Sequence, residues 1–289
     1  MFLQWLQFVR VHQWVKNILV FVPLVTAHAY SSAGDIILAV VCFVAFCCAA
    51  SASYVLNDYL DVDHDSLHPF KKKRALASGA IPLVTAGLVG VSLFIGALII
   101  SLQLSLMMML IVFGYCLLSG TYSLFLKKYL LLDVFVLALL YTIRIAAGAF
   151  AISVPLSFWL LAFSMFLFLS LAFLKRFIEL NRFEGEEEAL PGRGYQVSDR
   201  EIVLVSGVAS GYIAVLVFAL YINSQVAIQL YGTPWFLWVT CLVVLFWVSR
   251  VWMAGSRGQA GDDPVLFAVR DPQSLVCAVL VAASFWLAL

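Results

Sequence analysis

Ile36 to Leu56 reads IILAVVCFVAFCCAASASYVL, and Asn57 to Arg74 continues NDYLDVDHDSLHPFKKKR. The first stretch is 21 residues without a charge. A hydrocarbon core about 30 Å thick is crossed by about 20 helical residues, so this is a membrane span. The second stretch holds Asp58, Asp61, Asp63 and Asp65, then Lys71, Lys72, Lys73 and Arg74. Charge concentrated where a span ends marks the point at which the chain leaves the bilayer. The apolar stretch fixes the fold class, and the polar one is where the chemistry is expected.

The rest of the chain extends the same pattern. Of its 289 residues, 64% are hydrophobic and 11% charged, against about a quarter charged in soluble domains. Lipid is therefore its main solvent. Further apolar runs at 17–31, 82–101, 104–125, 130–152, 157–174, 202–222, 235–253 and 273–289 bring the expected spans to nine. The expectation is an all-α, polytopic protein with one membrane domain over 1–289. Residues 1–16 read as an interfacial amphipathic helix, with Trp5 and Trp14 at headgroup level, and not as a cleaved signal peptide. The six cysteines all sit in apolar stretches and read as small buried hydrophobes. A net charge of +1 gives no reason to expect a nucleic-acid partner.

Charge placement sets the expected orientation. The 17 Lys and Arg residues fall in the N-terminal segment and the 57–81 connection, at 127–128, and in 175–200 and 250–270, with Arg144 alone inside a span. The connections 31–35, 153–156 and 223–234 hold none. The positive-inside rule then makes the basic connections cytoplasmic, in the inner (plasma) membrane, and puts the C-terminus outside. A charged, soluble substrate would meet the cytoplasmic face. A transporter would more often place functional polar groups near the midplane.

Asn57, Asp61 and Asp65 are spaced i, i+4, i+8, one face of a helix that continues past the second span. Carboxylates with an amide oxygen suit Mg²⁺, a hard cation that keeps waters and binds substrate phosphates. A diphosphate bridged by Mg²⁺ fits that face, and the basic run after it can neutralise further phosphate charge. Arg144 is the second anomaly, because a charge inside a span costs at least about 2.5 kcal/mol. Asp133 lies about 16 Å away along the axis, out of reach. That leaves a substrate phosphate or an acid of a neighbouring helix as partner. A third group is Lys175, Arg176 and Glu179, in which Lys175 and Glu179 at i, i+4 can form a surface pair. Arg182, Arg193 and Tyr195 follow in a loop whose acids at 184–188 read as solvated.

The series Asn57-Asp58-x-x-Asp61-x-x-x-Asp65 resembles the first aspartate-rich motif of the UbiA-type prenyltransferase superfamily. Several further blocks are similar to its decaprenyl-phosphate phosphoribosyltransferase branch. They are His12 to Asn17, His68-Pro69 with Lys72, Lys73 and Arg74, Tyr122 with Lys127 and Asp133, Arg144, Lys175-Arg176 with Glu179, and Asp263 to Asp271. The resemblance implies nine helices around a cytoplasm-facing cavity. It also implies transfer of 5-phosphoribose from 5-phosphoribosyl 1-diphosphate to a polyprenyl phosphate, for cell-wall arabinan or another glycan.

On that reading Mg²⁺ is held by Asn57, Asp61 and Asp65. The phosphates are bound among Lys16, Asn17, Asp58, Lys72, Lys73, Tyr122, Lys127, Arg144, Lys175, Arg176 and Glu179. Members that prenylate aromatic rings carry a second DxxxD where this chain has Lys175-Arg176-x-x-Glu179, which favours two phosphorylated substrates. A fused phosphatase domain, present in some relatives, is not expected in this chain. An aromatic prenyltransferase and a transporter are the rival readings, and homo-oligomerisation is left open.

Overall fold

A computed structural model of the chain describes residues 2–67, 72, 74–183, 190, 192–261 and 263–289. Every regular element among them is helical. In order they are α1 (Phe2–Phe8), a 3₁₀ segment (Val11–Phe21), α2 (Val22–Thr26), α3 (Ala33–Leu60), α4 (Val62–Leu67), α5 (Leu83–Leu102) and α6 (Leu106–Leu124). There follow α7 (Leu132–Ala151), α8 (Phe158–Asn181), α9 (Arg200–Ile222), α10 (Gln225–Leu230), α11 (Leu237–Ser256), α12 (Pro264–Arg270) and α13 (Pro272–Ala288).

Among the described residues seven helices are long and apolar enough to cross a membrane, or eight if α12 and α13, bent by 77°, form one broken span. This is fewer than the nine expected. The apolar run at 17–31 forms no regular span. Arg10 takes the left-handed conformation (φ 53°) and ends the first helix at Phe8, so the continuous helix expected over 1–16 does not form. The 3₁₀ segment then buries the polar side chains Gln13, Lys16 and Asn17, and Pro23 opens α2 as a separate turn. Neither tryptophan of the N-terminus is simply a headgroup anchor. Trp5 packs beside Phe8 against a cluster with Val55, Leu76 and Ile81, and the Trp14 indole donates to Ser51 at 2.9 Å.

A repeated dipeptide marks the bend between α12 and α13. Asp263 and Asp271 each precede a proline, and each caps the helix that follows: Asp263 accepts from Val265 N at 3.1 Å, Asp271 from Ser274 N at 2.7 Å. Arg250 of α11 clamps Asp271 through both terminal nitrogens, at 2.6 and 2.8 Å.

The chain divides into two compact units, Met1–Leu126 with Ile143–Leu156, and Lys127–Thr142 with Ser157–Leu289. In the first, α3 packs on α5, α6 and the 3₁₀ segment. Its buried face is mostly small, with Phe46 and Val55 the large exceptions: Ala39, Cys42, Ala45, Cys47, Ala49, Ala50 and Ser51 let backbones approach, which is how helices associate in lipid. A Cβ on Gly148 would lie 2.0 Å from the Val20 carbonyl oxygen, so the later half of α7 rests directly on the 3₁₀ backbone. In the second unit α8 packs on α9 and α11, and α11 on α13. There Gly207 admits the Trp252 ring, which a Cβ would meet at 2.2 Å, and Ser170 accepts from the Trp252 indole while donating to the Gly207 carbonyl.

Gly148→Ala is expected to destabilise the protein by about 1–3 kcal/mol or more, because the obstacle is backbone and cannot step aside. Gly96→Ala, with nothing within 4 Å of the new Cβ, is expected to be neutral or better by up to about 1 kcal/mol. Thermal unfolding in detergent measures both, and equal effects would contradict the close approach.

Candidate functional site

At the end of α3 the acidic residues separate into two groups. Asn57 Nδ2 donates to Asp61 Oδ2 at 3.1 Å, the i, i+4 contact expected on one helix face. The helix breaks at Asp61 and resumes as α4, and Asp65 N donates to Asp61 O at 2.8 Å, so the register carries across the break. The side chains of Asp58 and Asp65 turn to arginines. Arg10 Nη2 lies 2.6 Å from Asp58 Oδ1, and Arg74 Nη1 lies 3.2 Å from Asp58 Oδ1 and 2.5 Å from Asp65 Oδ2. Both carboxylates are buried, and Arg10 also stacks over the Tyr54 ring at 4.8 Å. This chain of charges ties the N-terminal segment and the start of the α4–α5 connection to α3.

The donor set bears on the metal. Among the described residues no three acidic, histidine or cysteine side chains converge to cage an ion. Mg²⁺ does not need such a cage, since one or two carboxylates plus waters and substrate phosphates suffice. Asn57 and Asp61 fit that role. Asp65, expected beside them as a third ligand, lies one turn further on and is ion-paired with Arg74.

In the same unit Arg144, on the later half of α7, is 6% exposed. Its Nε donates to Asn17 Oδ1 at 2.9 Å, its Nη2 to the Tyr115 hydroxyl at 2.7 Å, and its guanidinium faces the Tyr115 ring at 4.9 Å. Asn17 in turn donates to Cys47 Sγ at 3.3 Å. These are an amide oxygen, a phenol and an aromatic face, beside the substrate phosphate or neighbouring acid expected from the sequence. Arg144 and Gly148 are one turn apart, as are Asn17 and Val20, so the Gly148 contact holds Arg144 in register with Asn17. Lys16 is buried beside Asn17 on the 3₁₀ segment, Tyr122 is half-buried on the last turn of α6, and Lys72 is exposed. Lys71, Lys73 and the acids at 184–188 lie outside the described residues.

The second unit has its own charged centre where α8 ends. Arg176 and Asp133 are both 0% exposed, with Nε and Oδ2 2.6 Å apart, close as an ion pair though not aligned as a hydrogen bond. Arg176 also bonds Glu179, and Arg193 Nε lies 3.9 Å from the same carboxylate. The Tyr195 hydroxyl donates to Asp133 Oδ1 at 2.6 Å and accepts from Leu131 N at 3.3 Å. Burial raises the Tyr195 pKa, and the hydrogen bond to Asp133 pushes the same way, so the hydroxyl remains a donor. Glu179 is thus engaged by arginines, not by Lys175 alone. Lys175 and Glu179 are half-buried, while Arg176 points into the protein. Lys127 sits in the turn Leu126–Lys128 that precedes α7.

Sequence reasoning located the charged centres and missed several of their partners. Arg10 and Asp58 are 48 residues apart and Tyr195 and Asp133 62 apart. The one available signal was the need for a partner at each buried charge. Tyr115, an aromatic within a span, carried no signal at all.

These features define an integral membrane protein with its polar chemistry gathered at the ends of its spans. The chain belongs to the UbiA prenyltransferase family, whose sequence model matches residues 18–270. It is 37% identical to the nodulation protein NoeC of Azorhizobium caulinodans, over 97% of this chain and 92% of that one. It is 33% identical to the uncharacterized protein y4nM of Sinorhizobium fredii, over 99% of this chain and 56% of that one. The decaprenyl-phosphate phosphoribosyltransferase of Mycolicibacterium smegmatis is 35% identical over 60% of this chain and 55% of its own length. The chain thus spans little more than half the length of these last two relatives. A UbiA homolog from Archaeoglobus fulgidus, bound to GPP and Mg²⁺, shares the fold with a TM-score of 0.71 at 17% identity over 98% of both chains.

Removing one partner of a fully buried ion pair costs about 3–5 kcal/mol, and exposed pairs cost about 0–1 kcal/mol. Arg176→Ala should therefore lower the unfolding temperature in detergent most, Asp58→Ala less, and Arg74→Ala, whose side chain is 32% exposed, least. The reverse order would contradict the burial described.

Proposed function

We propose that this chain transfers 5-phosphoribose from 5-phosphoribosyl 1-diphosphate to a polyprenyl phosphate, on the cytoplasmic face of the plasma membrane. The observation that carries this reading is the end of α8. Where ring-prenylating members have a second pair of acids, this chain has Arg176 buried against Asp133 and bonded to Glu179. A carboxylate engaged by arginines is a poor ligand for a second metal ion. A basic centre suits a second phosphorylated substrate better than an aromatic acceptor. The resemblance to the mycobacterial transferase supports the same reaction.

In this reaction an oxygen of the lipid phosphate forms a bond to C1 of the ribose, and the bond from C1 to the diphosphate oxygen breaks. The transition state has oxocarbenium character, as in glycoside chemistry. The lipid phosphate is already an anion, so no strong general base is required. Mg²⁺, held by Asn57 and Asp61, would supply charge neutralisation for the leaving diphosphate. Arg74, partly exposed beside Asp58 and Asp65, and Lys72 are placed in sequence to add positive charge at that end. Lys175 and Lys127 are the side chains assigned to the lipid phosphate, with Arg176 holding the scaffold beneath Lys175. Asp58 anchors Arg10 and so orders the N-terminal segment that carries Lys16 and Asn17. Arg144 acts with Asn17 and Tyr115 as one hydrogen-bonded group.

Purified protein in detergent is tested with 5-phosphoribosyl 1-diphosphate, a polyprenyl phosphate and Mg²⁺. Diphosphate release coupled to a phosphoribosylated lipid is expected, abolished by chelator. Asp61→Asn is expected to lower kcat by about 100-fold or more, the scale of losing a transition-state charge stabiliser. Prenylation of an aromatic acceptor by the same preparation, without phosphoribosyl transfer, would replace this reading with the aromatic prenyltransferase. Folded protein silent in both assays would favour the transporter.

A further inference from the structure

The turn between α6 and α7 is under local strain and is held from outside. Leu131 adopts the left-handed conformation (φ 64°), unfavourable for a side chain of its size. Such conformations persist where the surroundings over-determine them. Two contacts from Gly194 and Tyr195 do so here, around a turn closed by its own short hydrogen bond. The Tyr195 hydroxyl accepts from Leu131 N, and Leu132 N reaches back to Leu130 O at 2.7 Å. Gly194 lies against the turn so closely that a Cβ there would be 2.7 Å from both Leu130 N and Lys128 O. The docked loop is itself closed by Leu190 N donating to Tyr195 O at 2.8 Å. From Tyr195 the contacts run inward through Asp133 to Arg176, one residue after Lys175.

We infer that Tyr195 is a positioning residue for phosphate binding: with Gly194 it docks the α8–α9 loop onto the turn that carries Lys127 and Lys128. Through Asp133 and Arg176 it fixes that turn relative to Lys175 at the end of α8. The ligand class is the phosphate monoester of an isoprenoid lipid, and the inference rests on the assignment of that lipid to the basic end of α8. Tyr195 is 0% exposed and touches no ligand itself. Its effect is geometric, because cations on separate elements bind one phosphate only when their spacing is held.

The test is equilibrium binding of geranylgeranyl phosphate to detergent-purified wild type and Tyr195→Phe, which keeps the ring and removes the hydroxyl. Inorganic diphosphate with Mg²⁺ is titrated beside it. For Tyr195→Phe the Kd for geranylgeranyl phosphate is expected to rise by about fivefold to tenfold, a modest loss for misplaced contacts. The Kd for Mg²⁺–diphosphate should stay within about twofold and the unfolding temperature within a few degrees. Unchanged geranylgeranyl phosphate binding would overturn the inference. So would an equal weakening of both ligands alongside lost stability, the signature of a purely structural tyrosine. If Tyr195→Phe does not fold, Arg176→Lys, which keeps the charge facing Asp133 but shortens the fork, carries the same expectation for the two Kd values, with a lowered unfolding temperature. Binding is independent of turnover, so an inactive wild type would refute the proposed reaction and leave this comparison intact.

Discussion

A charge buried among apolar helices must have counter-groups, and that constraint organises both units of this protein. Desolvating an ion costs several kcal/mol even after relaxation. The chain meets that cost in three ways. Asp133 faces Arg176 within the second unit, at 0% exposure for both side chains. Asp58 and Asp65 share two arginines at the end of α3. Arg144 bonds an amide and a phenol and faces an aromatic ring. Each arrangement joins segments distant in sequence, so the buried charges serve as ties between elements.

A division of labour follows. Of the aspartates at the end of α3, Asp58 and Asp65 are buried against arginines, whereas Asp61 is half-exposed and accepts from Asn57. The adjacent pair Lys175 and Arg176 divides similarly, one half-exposed and one locked inward. Two neighbours on a helix point about 100° apart, so adjacent charges rarely share a task.

Much of the architecture was legible from hydropathy alone. The runs at 36–56, 82–101, 104–125 and 130–152 became α3, α5, α6 and α7 with ends within a few residues. The run at 17–31 misled because hydropathy averages over a window, whereas Arg10 at positive φ and Pro23 act at single positions. The break between α12 and α13 was written as Asp-Pro at 263–264 and again at 271–272, two helix starts within one apolar stretch. For the candidate site, local spacing carried the Asn57–Asp61 contact because it is one helical turn. Spacing had nothing to say about Arg10 and Asp58 or Tyr195 and Asp133, whose meetings depend on packing. It pointed to Lys175 as the partner of Glu179 and was silent on Arg176 and Arg193, which also approach that carboxylate.

The register between α7 and the 3₁₀ segment constrains length more than composition. Gly148 sits on the Val20 carbonyl while Arg144 meets Asn17, two contacts one turn apart on each partner. One residue gained or lost between Arg144 and Gly148 would rotate one contact by about 100° relative to the other. The four-residue interval itself behaves as a fixed measure, and a chain that altered it would have to rebuild its N-terminal segment as well.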